Sequence, residues 1–270
     1  MSVILITGAS SGIGYQTAEL LASQNNIVYG AARRLDKLNE LKKYNVRPLE
    51  LDITNEESIK SAVKTIIKEE GHIDVLINNA GYGSYGAVED VSIEEAKRQF
   101  DVNLFGMAQL TQLVLPYMRK QHEGRIINTS SMGGRLVSYM GAWYHATKYA
   151  VEAFSDALRM ETKEFGIKVS VIEPGGIKTN WGFIAADKLQ KSAQGGAYEE
   201  QADKAATGMR KQYSSNMMSD PKVVSKAILR AVSSNRPKTR YLIGFGAKPL
   251  VFAKTILPTT VFDFIMKHAS

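Results

Sequence analysis

The chain has 270 residues, enough for one large domain with a full core or for two small ones. Its 44% hydrophobic and 23% charged residues are ordinary for a globular protein, and the net charge of +7 comes from Lys and Arg scattered among Asp and Glu, which reads as a solvated surface and not a nucleic-acid face. The absence of cysteine excludes disulfides and thiolate metal sites, and the four histidines, at 72, 122, 145 and 268, share no ligand-like spacing, so no metal is expected.

The opening "MSVILITGAS" has no charged leader region, and no apolar run is long enough to span a bilayer. A cytoplasmic protein is the expectation. The run "VILIT", 3 to 7, reads as a buried strand ending at Gly8, followed by helical spacing from Tyr15 to Ala22. "IVYGAA", 27 to 32, is a second strand and "VRPLELD", 46 to 52, a third, with Pro48 pointing to a sheet edge. Thr54 with Glu57 forms a capping-box pattern that opens a helix stopped by Gly71. "DVLINNAG", 74 to 81, is a fourth strand, and one long helix is expected from about Ser92 to Arg119. "RIINTSS", 125 to 131, is a fifth strand, and a helix through Tyr144 runs to about Phe165. "KVSVIEPGG", 168 to 176, is a sixth strand. Residues 177 to 220 are small or polar with little strand pattern. Pro221 opens another helix, and "RYLIGFG", 240 to 246, is a last strand.

Strands of continuous apolar character alternate with helices throughout. This predicts an α/β fold of one domain, a doubly wound parallel sheet of about seven strands with helices on both faces. The first turn, "TGASSGIG" from Thr7 to Gly14, places Gly8, Gly12 and Gly14 between a strand and a helix. Free N–H groups there sit at the positive end of a helix dipole and suit a pyrophosphate.

The turn spacing resembles that of the short-chain dehydrogenase/reductase family, as do "NNAG" at 78 to 81, Asn103, "SS" at 130 to 131, Tyr144-x-x-x-Lys148 and "PGGIKT" at 174 to 179, in order. The wording from Asp156 to Thr179 resembles the hydroxysteroid-dehydrogenase-like branch. The resemblance implies a Rossmann fold, an oxidoreductase and a nicotinamide cofactor. It implies cofactor contacts from Gly8, Ser10, Ser11, Gly12, Ile13 and Gly14, from Asp52 and Ile53 beside the adenine, and from Asn79, Ala80 and Gly81. Pro174, Gly175, Ile177 and Thr179 would meet the nicotinamide end. Asn78 to Gly81 read as structural more than catalytic.

The second strand ends "YGAARRLDKL". By the family pattern, Ala32 stands where an NAD enzyme would carry an acid, and Arg33 and Arg34 follow. A guanidinium suits a 2′-phosphate, so NADP(H) is expected, with Arg33 and Arg34 as candidate contacts, Arg33 the better one and a solvent-facing Arg34 the alternative.

Tyr144 and Lys148 lie one turn apart on one helical face. Carbonyl reduction needs a proton donor, and the Lys148 ammonium is expected to lower the pKa of the Tyr144 phenol. The resemblance adds Lys148 as a ribose contact, Ser131 as the hydroxyl that orients the carbonyl, and Asn103 as part of a water-linked relay; read alone, a mid-helix Asn points to solvent.

Residues 180 to 220 occupy the family's substrate-lid position. Trp181, Phe183, Met209, Tyr213, Met217 and Met218, with Met132, Tyr139, Met140 and Trp143, suggest an apolar carbonyl or alcohol substrate; that half of them are only core is an equal reading. The tail at 247 to 270 is apolar but broken by charges, and is expected to cap the pocket, bury a subunit contact, or lie on a membrane, in that order. A homodimer or homotetramer through the helices at 92 to 119 and 143 to 165 follows from the resemblance. Two alternatives stay open: an NAD-dependent alcohol or hydroxysteroid dehydrogenase, and a non-catalytic NADP(H)-binding regulator on the same fold.

Overall fold

The computed structural model describes residues 1–268; of the apolar tail, Ala269 and Ser270 lie outside the described residues. Seven strands form one sheet: β1 (Val3–Thr7), β2 (Ile27–Ala32), β3 (Val46–Glu50), β4 (Val75–Asn78), β5 (Gly124–Thr129), β6 (Ile167–Pro174) and β7 (Arg240–Ile243). Their order is β3-β2-β1-β4-β5-β6-β7, and every pairing is parallel. β3 is an edge, as Pro48 required.

The helices are α1 (Gly12–Ala22), α2 (Leu35–Asn39), α3 (Glu56–Glu70), α4 (Ile93–Phe100), α5 (Gly106–Gln121), α6 (Ala142–Thr162), α7 (Trp181–Ser192), α8 (Glu199–Ser214), α9 (Lys222–Ser233), α10 (Ala247–Ile256) and α11 (Thr259–His268). Alternation along β1 shows why the strands are apolar throughout. Val3 and Leu5 pack against α3, α5 and α6, while Ile4 and Ile6 pack against α1 and α9 on the other face. Strand order reverses between β1 and β4, and a ligand cleft is expected outside the carboxyl ends of the strands at that point.

Two local expectations are corrected. The helix expected over 92 to 119 is interrupted by a π-helical turn at Asp101–Phe105. The widened turn accompanies the burial of Asn103, whose side chain bonds the Tyr82 backbone, and α5 then starts so close to Ile53 that a Cβ on Gly106 would lie 2.1 Å from the Ile53 carbonyl oxygen. The α3 cap is Asn55, which accepts from the Ser58 N–H, and not Thr54. Thr54 is diverted because its N–H and hydroxyl both donate to Asp52 Oδ1. The segment at 177 to 220 holds two helices, α7 and α8, which pack through Ala185, Ala186, Ala202, Ala205 and Ala206; small side chains let their axes approach.

Candidate active site

The glycine turn after β1 has the conformation its residues allow. Gly8 and Gly12 have φ of +69° and +56°, a region open to glycine at little penalty. A Cβ on Gly14 would lie 2.3 Å from the Gly8 carbonyl oxygen, so only glycine lets α1 begin so near the turn. Ser11 stands at the N-cap of α1 without spending its side chain on the helix N–H groups. Asn79 ties the end of β4 to this turn: its amide donates to the Thr7 carbonyl at 3.0 Å, and its N–H donates to Thr7 Oγ1. Asn78 does the same for the sheet, donating to Asn128 and Thr111.

At the end of β2, Arg34 donates to Ser10 Oγ at 3.0 Å and Ser11 Oγ at 3.4 Å. Arg34 is exposed, yet it leans over the glycine turn, where the hydroxyls accept from it. Arg33 is also exposed and lies toward Asp52. Burial opposes ionisation of Asp52, yet hydrogen bonds from Thr54 and the charges of Arg33 and Arg98 hold its carboxyl below the usual value.

At the carboxyl end of β5, Ser131 opens a short 3₁₀ turn over Met132–Gly134, accepts from the Gly133 N–H at 3.0 Å and donates to the Pro174 carbonyl at 3.3 Å. Its hydroxyl shares the cleft wall with the Tyr144 phenol, whose pKa it acts to lower. Tyr144 is held by aromatic neighbours, with ring centroids at 5.6 Å to Tyr85 and 5.1 Å to Trp181. His145 fixes the loop before α6. It accepts the Ser138 N–H at Nε2, so Nδ1 carries the proton and donates to the Gly133 carbonyl.

Lys148 follows one turn later. Its ammonium donates to the Thr129 carbonyl at 2.9 Å and stands 6.0 Å from the Tyr144 ring centroid. The expected depression of the tyrosine pKa is corrected here. Burial drives the Tyr144 phenol well above its ordinary value, and Tyr85 and Tyr213 add to the rise while Ser131 opposes it. Burial acts on Lys148 in the opposite sense, bringing its pKa down to about 8, with Glu152 resisting. The pair thus meets in one cleft with the phenol protonated and the lysine close to neutrality.

One cavity of about 1110 Å³ runs across these groups. Its wall includes Gly8, Ser10, Ser11, Gly12, Ile13, Gly14, Arg33, Arg34, Asp52, Ile53, Asn79, Ala80, Gly81, Ser131, Tyr144, Lys148, Pro174, Gly175, Ile177 and Thr179. Among the expected site residues Asn103 alone is off the wall. It is 2% exposed and bonds the Tyr82 N–H and carbonyl and the Thr147 hydroxyl, so the solvent-facing reading fails. Thr179 comes over the glycine turn, with its Cγ2 3.4 Å from where a Gly12 Cβ would be.

Of the expected apolar lining, Met132, Trp181, Tyr213 and Met218 reach the wall; Phe183, Met209, Met217, Tyr139, Met140 and Trp143 do not. Met140 is packed instead among Tyr85 and Tyr144 in a separate core. Sequence reasoning missed Tyr85, Leu136, Lys188, Phe245, Leu250 and Met266 on the wall. No local signal marks Tyr85; Leu250 and Met266 belong to the tail at 247 to 270 and lie on the cleft wall. Among the described residues no group of three or more His, Asp or Glu is placed to hold a metal, and no helix is long and apolar enough to cross a membrane.

A family model described as short chain dehydrogenase matches residues 2–187. The chain belongs to the short-chain dehydrogenase family. A member of this family from Bacteroides thetaiotaomicron, named 3-ketodihydrosphingosine reductase, is 40% identical over 98% of this chain and 96% of its own length. A short-chain dehydrogenase from Streptomyces avermitilis superposes with a TM-score of 0.81 at 31% identity, over 98% of this chain and 95% of that one. A serine dehydrogenase in its closed form with NADP+ gives a TM-score of 0.77 at 27% identity, over 90% and 94%. The chain is therefore an oxidoreductase of the short-chain dehydrogenase family acting on CH–OH donors, on a fold that binds a nicotinamide cofactor.

The residues present fit such a cofactor. The glycine turn lies on the cleft wall at the N-terminus of α1, and Thr129 Oγ1, at the cleft end of β5, is buried without a hydrogen-bond partner.

Proposed function

We propose that this protein is an NADP(H)-dependent reductase of an apolar ketone or aldehyde, with Tyr144 as the proton donor. The observation that carries the reading is that Ser131, Tyr144 and Lys148 line the same cleft as the glycine turn. The turn from Gly8 to Gly14 would hold the pyrophosphate, Asp52 and Ile53 the adenine end, and Arg33 and Arg34 the 2′-phosphate. The segments at 79 to 81 and 174 to 179, with Lys148, would hold the nicotinamide half. When bound, the nicotinamide supplies a hydride to the carbonyl carbon.

The chain's own residues do the rest. Ser131 donates a hydrogen bond to the carbonyl oxygen as negative charge grows there. Tyr144 passes its phenolic proton to that oxygen, and burial keeps the phenol protonated until the alkoxide forms. Lys148, brought to about 8, is able to exchange a proton near neutrality and so to restore the phenol. Asn103 positions rather than reacts, holding the Tyr82 backbone and Thr147 beside Lys148.

Tyr85, Leu136, Trp181, Tyr213, Met218 and Leu250 on the wall favour an apolar substrate. That a relative is named for reducing 3-ketodihydrosphingosine supports the reductive direction. Exposed Phe105, Tyr117, Tyr149 and Met160, from the π-helical turn to α6, support a homodimer or homotetramer through that face. A panel of ketones and aldehydes of graded apolar size, followed by the loss of NADPH absorbance, tests the reading. It expects turnover rising with apolar size; NADPH unconsumed across the panel would count against it.

A further inference from the structure

The last two helices carry apolar side chains on two faces. Inward, Val251 and Phe262 are 7% and 0% exposed, and Leu250 and Met266 form part of the cleft wall. Outward, Phe252 and Ile256 stand four residues apart on α10, and Val261 and Ile265 four apart on α11. A four-residue step keeps each pair on one helical face. Their exposures are 64%, 61%, 44% and 38%, with Phe264 beside them at 65%. Five of the molecule's large exposed apolar residues thus fall within fourteen positions of the chain, at 252 to 265. A helix apolar on both faces needs cover on both, and among the described residues Phe252, Ile256, Val261 and Ile265 are left exposed on the outward one.

The charges identify the cover. Among the described residues of the tail, Lys248, Lys254 and Lys267 stand against one carboxylate, Asp263; Lys254 lies over the Phe262 ring and Lys267 over the Tyr139 ring, at the edges of the apolar face. A second copy of the chain related by two-fold symmetry would bring lysines toward lysines. An anionic lipid surface meets both demands, taking the apolar side chains among its acyl chains and the ammonium groups at its phosphates.

We propose that α10 and α11 seat the protein on an anionic bilayer surface, from which an apolar substrate passes by Leu250 and Met266 to Tyr144. Only the passage of substrate rests on the reductase reading; the seating does not.

The test uses the full chain without cofactor or substrate, sedimented with vesicles of phosphatidylcholine alone and of phosphatidylcholine mixed with phosphatidylglycerol. Binding is expected to the mixed vesicles and to weaken with salt. Phe252→Ser with Ile256→Ser should weaken it roughly tenfold or more. Lys248→Glu, an exposed change that leaves the apolar face alone, should weaken it about fivefold or more. Both variants should keep the wild-type melting temperature and the reduction of a small water-soluble ketone. The proposal is overturned if the wild type ignores mixed vesicles, or if the serine variant binds as well as the wild type. It is equally overturned if the serine changes split an oligomer seen by light scattering, which would give this face to a second copy. Vesicle binding and carbonyl reduction are separate readouts, so either reading can fail while the other stands.

Discussion

Lys148 gives its ammonium to the carbonyl of Thr129, at 2.9 Å, across from Tyr144. The bond fixes the lysine at the cleft end of β5 and leaves the phenol to be governed by burial and by Ser131. Burial keeps the phenol protonated, the form that proton donation requires, although a raised pKa makes it the weaker acid. It suits proton abstraction poorly, because the phenolate is the disfavoured form.

This gives a directional pH prediction. Alcohol oxidation needs the Tyr144 phenolate, whose pKa burial raises, so its rate should climb steadily as pH rises above neutrality. Carbonyl reduction uses the phenol and should not share that climb. Measured kcat in both directions across the alkaline range checks this; parallel profiles would mean that the phenol is not the titrating group.

Selectivity for the 2′-phosphate should depend on both arginines. Arg33→Ala and Arg34→Ala should each raise the Kd for NADPH about tenfold to a hundredfold while changing that for NADH little, since a charge-assisted hydrogen bond to phosphate is lost in only one case. Fluorescence titration of both cofactors measures it. Equal loss for NADH and NADPH would place the arginines elsewhere.

Asn103 should matter to stability before chemistry. Asn103→Ala leaves the Tyr82 N–H and carbonyl without their partner in a mostly buried setting, a loss of about 1–3 kcal/mol. Chemical denaturation should show a lower midpoint with an unchanged slope. A midpoint equal to that of the wild type would show that the π-helical turn is held by other contacts.

Glu152, one turn beyond Lys148 on α6, offers a stability test. Burial pushes its carboxyl up to about 7; Ser130 and Arg240 oppose the rise and Glu173 adds to it. A pKa raised on folding stabilises the protonated form, so the contribution is full below the ordinary value of 4.5 and is lost as pH rises through about 7. Glu152→Gln remains neutral throughout. Its Tm relative to the wild type should therefore improve steadily across that window, and a constant difference would contradict the assignment.

Much of this was legible along the chain. Continuous apolar runs such as Val3–Thr7 announced strands covered on both faces, and Pro48 announced an edge. The glycines at 8, 12 and 14 and the Tyr144 helix placed the cleft. What stayed hidden depends on partners far away in sequence. Thr54 loses the α3 cap because Asp52 takes its hydroxyl, and Arg34 finds Ser10 across 24 positions. Tyr85 reaches Tyr144 over 59 residues and left no periodic trace. The pKa of Tyr144 reversed expectation because a one-turn spacing brings side chains to one face without fixing where an ammonium points.

The central claim is that the Tyr144 phenol is the proton donor in carbonyl reduction. Its most direct test is Tyr144→Phe, assayed for NADPH binding and for single-turnover reduction of a ketone accepted by the wild type. Removing one oxygen should leave the Kd for NADPH close to the wild-type value and slow reduction about 10²- to 10⁴-fold or more. Reduction at the wild-type rate with NADPH still bound would contradict the claim.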